Sequence, residues 1–235
     1  MRFLIKALAT IAALLALPAV AFAQAGQCRI PDIKPGRAIF PPPGNAVIAP
    51  VTGHLLALSW SPQFCKVNGK EKEYASQCGD QKFGFILHGL WADGEGRNNP
   101  VWCKRMPAVP VEVMRKSFCA MPSPILMQHE WAKHGSCIAG DAETYFRTAT
   151  MLFDALKWPD MDALSRYSLD VGELTKAFAA ANPGLRADMF SVDVTPLGWL
   201  EEVKLCLDKS YHPRTCPADV GGAGDRTKLK IWPVR

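Results

Sequence analysis

Of the 235 residues, 49% are hydrophobic and the formal net charge is +5, so the chain can bury a substantial core in one domain and is only mildly basic. That balance is compatible with a polyanionic partner and does not identify one. Beyond the first 23 residues no stretch is apolar enough to span a bilayer, which excludes a helical membrane protein once a leader is removed.

The chain opens with Met1, Arg2 and Lys6 around an apolar run from Leu4 to Val20, then Ala21-Phe22-Ala23. A positive end, a short apolar stretch and small residues before a cut predict a secretory signal peptide over residues 1–23. Removing the first 23 of 235 residues leaves 212 and takes away Arg2 and Lys6, lowering the net charge from +5 to +3. Residues 24–53 form a proline-rich leader (Pro31, Pro35, Pro41, Pro42, Pro43, Pro50) without a sustained period, read as extended chain laid over or trailing from the domain at 54–235.

His54 to Trp60 and Phe83 to Leu87 are short apolar runs suited to buried strands. The polar stretch Asn68 to Glu73 between them predicts a loop, whose ends Cys65 and Cys78 could staple. Ala142 to Trp158 carries apolar residues at Tyr145, Ala149, Leu152, Phe153 and Leu156, the three-four spacing of a helix with one buried face. Val171 to Ala181 predicts a second helix, closed by Asn182-Pro183-Gly184. Val203, Leu205 and Leu207 alternate with Lys204, Cys206 and Asp208, as in a half-buried strand. Strands first, helices in the middle and a late strand predict an α+β fold, a mainly antiparallel sheet with packed helices. All eight cysteines follow the expected cleavage site, and an even count in an exported chain implies disulfides. No Cys-x-x-Cys pair occurs, which argues against a zinc site.

Three of the five histidines lie in two dense segments, Phe85-Ile86-Leu87-His88-Gly89-Leu90-Trp91 and His129-Glu130-Trp131-Ala132-Lys133-His134-Gly135-Ser136-Cys137. The first enters as a strand and stops at Gly89, which would deliver His88 at a strand end facing a cleft. The second, if helical, puts His129 with Lys133 and Glu130 with His134 at i and i+4. Trp131 and Ala132 hem this cluster, and Gly135 ends it beside Cys137, so the charges are crowded and not spread over a solvated face. A zinc-protease pattern fails on register, because His129 and His134 stand five apart, roughly 140° around an α-helix.

Two separated histidines with a carboxylate and a lysine suit phosphodiester transfer by proton exchange. RNA carries its own nucleophile, the 2′-hydroxyl, so a catalyst needs a base, an acid for the 5′-oxygen and cationic donors. Imidazole, with a reference pKa of about 6.5, serves in either proton role.

These segments resemble the paired motifs of the ribonuclease T2 family, His-Gly-Leu-Trp-Pro and His-Glu-Trp-x-Lys-His-Gly-Thr-Cys. The resemblance extends from about Leu55 through Pro217 and includes Leu58-Ser59-Trp60 before Cys65, the stretch from Ala177 to Pro183, and Cys206 followed by Cys216. It implies His88 as general acid, His134 as general base, Glu130 and Lys133 as stabilisers of the transition state, His129 as a phosphate contact and Trp91 as a shaper of the site. It also implies single-stranded RNA as substrate, 2′,3′-cyclic phosphate products that hydrolyse to 3′-phosphates, a mildly acidic optimum, and no metal or other cofactor. Among the cysteines it pairs Cys103 with Cys137 and Cys206 with Cys216; with Cys65 closing the short loop to Cys78, Cys28 is left for Cys119. Ala92 and Ser136 depart from the family's proline and threonine and are expected to alter loop stiffness more than chemistry. The expected product is a monomer without an obligatory protein partner, free of the membrane after cleavage, periplasmic or secreted. The alternative is a secreted RNA-binding or interaction protein on the same scaffold, which turnover of RNA would distinguish.

Overall fold

The computed structural model describes residues 28–41, 44–96 and 98–234; the expected signal peptide lies outside them. Its strands are β1 (Gly53–Trp60), β2 (Phe85–Asp93), β3 (Leu169–Asp170), β4 (Phe190–Val194), β5 (Leu200–Leu207) and β6 (Lys228–Leu229). The helices are α1 (Ser61–Asn68), α2 (Ala75–Cys78), α3 (Val111–Ser117), α4 (Pro124–Glu130), α5 (Ser136–Ile138), α6 (Ala142–Ala155), α7 (Met161–Leu164) and α8 (Val171–Ala181). A π-helical turn, Trp131–Gly135, joins α4 to α5.

The main sheet has the order β2-β1-β5-β4 with every neighbouring pair antiparallel, and β3 pairs with β6 in a small second sheet. Strand alternation divides the main sheet's residues by face. Leu56, Leu58 and Trp60 of β1 stand opposite Leu90, Leu87 and Phe85 of β2, and with Val203, Leu205 and Val192 they join the apolar core that α6 and α8 complete. The opposite face carries Ser59, Ile86, Glu202 and Asp193, which are cross-strand partners of one another.

Local chemistry sets the helix ends. Asp141 caps α6 by accepting from the Thr144 N–H at 2.8 Å, and Asp170 with Glu173 forms a capping box on α8. The α6 helix stops at Ala155, short of the expected Trp158. There the Asn182 side chain takes both the N–H and the carbonyl of Lys157 at 2.8 Å, and Trp158 turns in against Phe85, Phe153 and Phe178.

Four further expectations differ from the structure. The Asn68 to Glu73 stretch is only partly loop, since Asn68 ends α1 and Lys72–Tyr74 is a 3-10 turn. Strand β5 is buried along nearly its whole length, not half-buried, because it lies between β1 and β4; Lys204, on the face away from the apolar core, is paired with Asp193 at 2.6 Å. Strand β2 does not stop at Gly89 but continues to Asp93. Ala92 therefore sits in a strand opposite His54, not in a loop.

The cysteines pair as Cys28–Cys119, Cys65–Cys78, Cys103–Cys137 and Cys206–Cys216, matching the expected framework. The first anchors the described part of the leader, which has no regular element but buries Ile33 and bridges Val47 to Val101. Among the described residues no helix is long and apolar enough to cross a membrane.

Candidate active site

The site begins with a β-bulge. In the β1–β2 ladder Ala57 faces Gly89 and Leu58 faces Leu87, so His88 is the extra residue on β2. In an unbroken strand, residues three apart point to opposite faces. The bulge cancels that rule: Leu87 and Leu90 both enter the core, while His88 and Trp91 meet edge to face on the other side, ring centroids 5.1 Å apart. The Tyr145 hydroxyl satisfies the unpaired edge of β2 here, accepting from the buried Leu90 N–H at 3.2 Å and donating to its carbonyl at 3.1 Å.

The second segment enters through α4, capped by Ser123 and opened by Pro124. It then widens into the π turn and does not end at Gly135 but continues to Ile138. A β-carbon on Gly135 would lie 2.3 Å from the Trp131 ring, so glycine is needed for the Trp131 side chain to lie against the turn. Because the segment is not a uniform α-helix, the 140° separation of His129 and His134 does not apply to it. Ser136, expected to affect a loop, is helical and accepts the Cys103 N–H at 3.0 Å, tying the Cys103–Cys137 staple to the turn.

Trp91 joins the two segments. Its indole N–H donates to Glu130 Oε2 at 2.7 Å, and its ring stacks on His134 with centroids 5.2 Å apart. Glu130 Oε1 lies 3.7 Å from His88 Nε2. His88, Trp91, Glu130 and His134 thus form one contiguous group. His129 sits to one side, edge-on to Trp102 at 5.5 Å, and lines a cavity of about 300 Å³ with His88, Ser59, Phe64 and Leu126.

The two histidines have opposite electrostatic surroundings. Burial pulls the His88 imidazolium downward, but the hydrogen bond from Nδ1 to Glu202 and the charges of Glu130 and Glu202 outweigh it, and its pKa rises above the ordinary histidine value. His134 is 6% exposed, and its Nδ1 makes no hydrogen bond. Burial first, then the charges of Lys133, His88 and His129, lower its pKa to about 2. His129 is lowered by burial and by Lys133. Glu130, 1% exposed, is raised by burial against the opposing pull of His88 and the Trp91 hydrogen bond. Among the described residues no group of three or more His, Cys, Asp or Glu side chains is placed to hold a metal ion.

Several groups at the site were not apparent from sequence. Glu202 and Ser59 reach His88 only through the pairing of β5 with β1, a contact between distant segments. Ile39, from the leader, lines the same 300 Å³ cavity as His88 and His129, and nothing in a proline-rich stretch signals that.

An acid–base cluster on one face of an antiparallel sheet, carried by an α+β scaffold with four disulfides, is the class these observations define. The chain matches the ribonuclease T2 family over residues 52–216, and it belongs to that family. A probable ribonuclease of Haemophilus influenzae is 34% identical over 185 residues, which cover 74% of this chain and 64% of that protein's length. A ribonuclease of Aeromonas hydrophila is 40% identical over 85 residues, 36% of each chain. Among solved structures the fold is similar to trichomaglin, described as an S-like ribonuclease (TM-score 0.62, 20% identity, 79% of this chain and 100% of that one). It is also similar to RNase NT, solved with 5′-AMP (TM-score 0.58, 21% identity, 78% and 98%).

Proposed function

We propose that the protein is an exported endoribonuclease that cleaves single-stranded RNA without a metal, acting as a monomer and needing no protein partner. His134 takes the proton of the ribose 2′-hydroxyl as the 2′-oxygen bonds to the adjacent phosphorus. His88 gives its proton to the departing 5′-oxygen as the phosphorus–oxygen bond breaks. The product is a 2′,3′-cyclic phosphate, which water opens to a 3′-phosphate with the two proton roles reversed.

One observation carries this reading: His88 and His134 lie against the same Trp91 indole, yet only His88 has a carboxylate, Glu202, on its Nδ1, while the buried Nδ1 of His134 has no hydrogen bond. A carboxylate-supported histidine that holds its proton suits an acid, and an unsupported buried histidine that stays neutral suits a base. Lys133 supplies positive charge for the phosphorane-like transition state, an effect of on the order of 3 kcal/mol for one well-placed donor. Glu130 anchors Trp91 and stands beside His88 Nε2, where it helps stabilise the transition state. His129 contacts the phosphate from the cavity side. Family membership supports the substrate class, and RNase NT's complex with 5′-AMP supports nucleotide binding on this fold. The four disulfides support export to an oxidising compartment, the periplasm or beyond.

The test is turnover of a short RNA and of its 2′-deoxy counterpart. The RNA is expected to be cut and the deoxy strand left intact. His88→Ala and His134→Ala are each expected to lose on the order of 10²- to 10⁴-fold in kcat/KM. Cleavage of the deoxy strand at a comparable rate, or RNA affinity without turnover, would reject the proposal.

A further inference from the structure

Cross-strand pairing places Glu202 of β5 opposite Ser59 of β1, and Ser59 opposite Ile86 of β2, so the three share the face on which the bulge sets His88. Glu202 is largely buried there, and its Oε2 accepts from His88 Nδ1. The Ser59 hydroxyl bridges the pair, 3.3 Å from His88 Nδ1 and 3.5 Å from Glu202 Oε2. With Nδ1–H committed to a carboxylate, the transferable proton of the imidazolium is the one on Nε2. That nitrogen faces the rest of the site, 3.7 Å from Glu130 Oε1. His134 has no equivalent support, since its Nδ1 is without a hydrogen bond.

We propose that Glu202 is a positioning residue for the acid step: it fixes the His88 ring, directs its mobile proton to Nε2 and holds the imidazolium charged until the leaving oxygen takes that proton. The inference rests on the reading of His88 as general acid. It assigns a role to a residue outside both histidine segments and explains how one of two nearby imidazoles keeps its proton while the other gives it up.

The charged and titratable neighbours set the size of the effect. Glu130 and His129 face His88 from α4, Lys133 and His134 from the π turn, Glu201 lies beside Glu202 on β5, and Asp193 on β4 is tied to Lys204. Because Glu130 remains as a second carboxylate, removing the Glu202 charge lowers the His88 pKa by part of the 1–3 units that an adjacent opposite charge commonly contributes, about one unit.

Glu202→Gln keeps the shape and an acceptor oxygen but removes the charge. The expected result is an alkaline limb of kcat/KM displaced to lower pH by about one unit, with activity reduced by up to about tenfold on the alkaline side of that limb. KM should stay within about twofold, because the residue acts on the proton and not on binding. Glu202→Asp, which restores the charge, should recover part of the limb's position. The His88 ring is titrated in parallel by NMR in both proteins without substrate, where the same drop of about one unit is expected. Uniform loss of activity with limb and ring titration unmoved would mean a structural role only and would overturn the inference. Should the wild type not cleave RNA, the proposed function fails, but the ring titration still decides whether Glu202 holds the His88 proton.

Discussion

His88 and His134 are the same residue type in contact with the same indole, and their surroundings separate them. The signs follow from the direction of each shift. His88 has a raised folded pKa, so its stabilising contribution is full below about pH 6.5 and is lost as pH rises through the folded value. His134 has a depressed folded pKa, so its contribution is present above about pH 6.5 and is lost as pH falls, while the unfolded chain takes up a proton that the native site refuses. His134→Asn, which removes this acid penalty, is therefore expected to gain about 2 kcal/mol relative to wild type between pH 7 and pH 5. Urea unfolding at the two pH values measures it, and an equal difference at both would contradict the low pKa. For activity, the same directions predict a kcat/KM that declines on the alkaline side as His88 loses its proton.

At the scale of elements, the bulge in β2 and the π turn after α4 bring the two segments together, and Gly89 marks their contact. A β-carbon there would lie 2.1 Å from Glu130 Oε2 and 2.7 Å from Trp91 Nε1. Gly89→Ala is thus expected to push Glu130 and Trp91 apart and lower kcat/KM by at least tenfold while the core, which Gly89 does not enter, keeps most of its stability. Circular dichroism melting alongside kinetics checks this, and wild-type activity in the variant would show that the indole–carboxylate contact is dispensable. The same glycine explains what sequence reading missed. Glycine commonly ends a strand, so His88 was expected at a strand end; here it lies within the strand because a carboxylate from another element occupies the space of a side chain. The π turn has no compositional signature, so the five-residue spacing of His129 and His134 does not translate into an α-helical angle. Helices α6 and α8, by contrast, were legible because their periodicity and capping are local. The identities of the central groups were also legible, since His88, Glu130, His134 and Trp91 lie within two short segments. Glu202, Ser59 and Ile39 were not, because strand order and the path of the leader bring them in.

Across the whole molecule, the disulfides close segments that range from 10 to 91 residues around the apolar core. Cys28–Cys119 spans 91 residues and ties the leader to the domain, and the leader contributes Ile39 to the cavity beside His88. Replacing both cysteines by serine is expected to cost about 2–5 kcal/mol of stability, by releasing a long loop in the unfolded chain. It should also raise KM for RNA more than it lowers kcat, since the leader forms a wall of the cavity and supplies no proton. Urea unfolding and steady-state kinetics on the same preparation separate the two effects, and an unchanged KM would show that the cavity holds its shape without the strap.

The central claim is that the ribose 2′-oxygen is the nucleophile and two histidines move the protons. Mass analysis of the termini formed from a short RNA in excess EDTA tests it most directly. The account predicts early fragments ending in 2′,3′-cyclic phosphate that convert with time to 3′-phosphate. Fragments carrying 5′-phosphate and 3′-hydroxyl ends, or no cleavage until a divalent metal is restored, would contradict it.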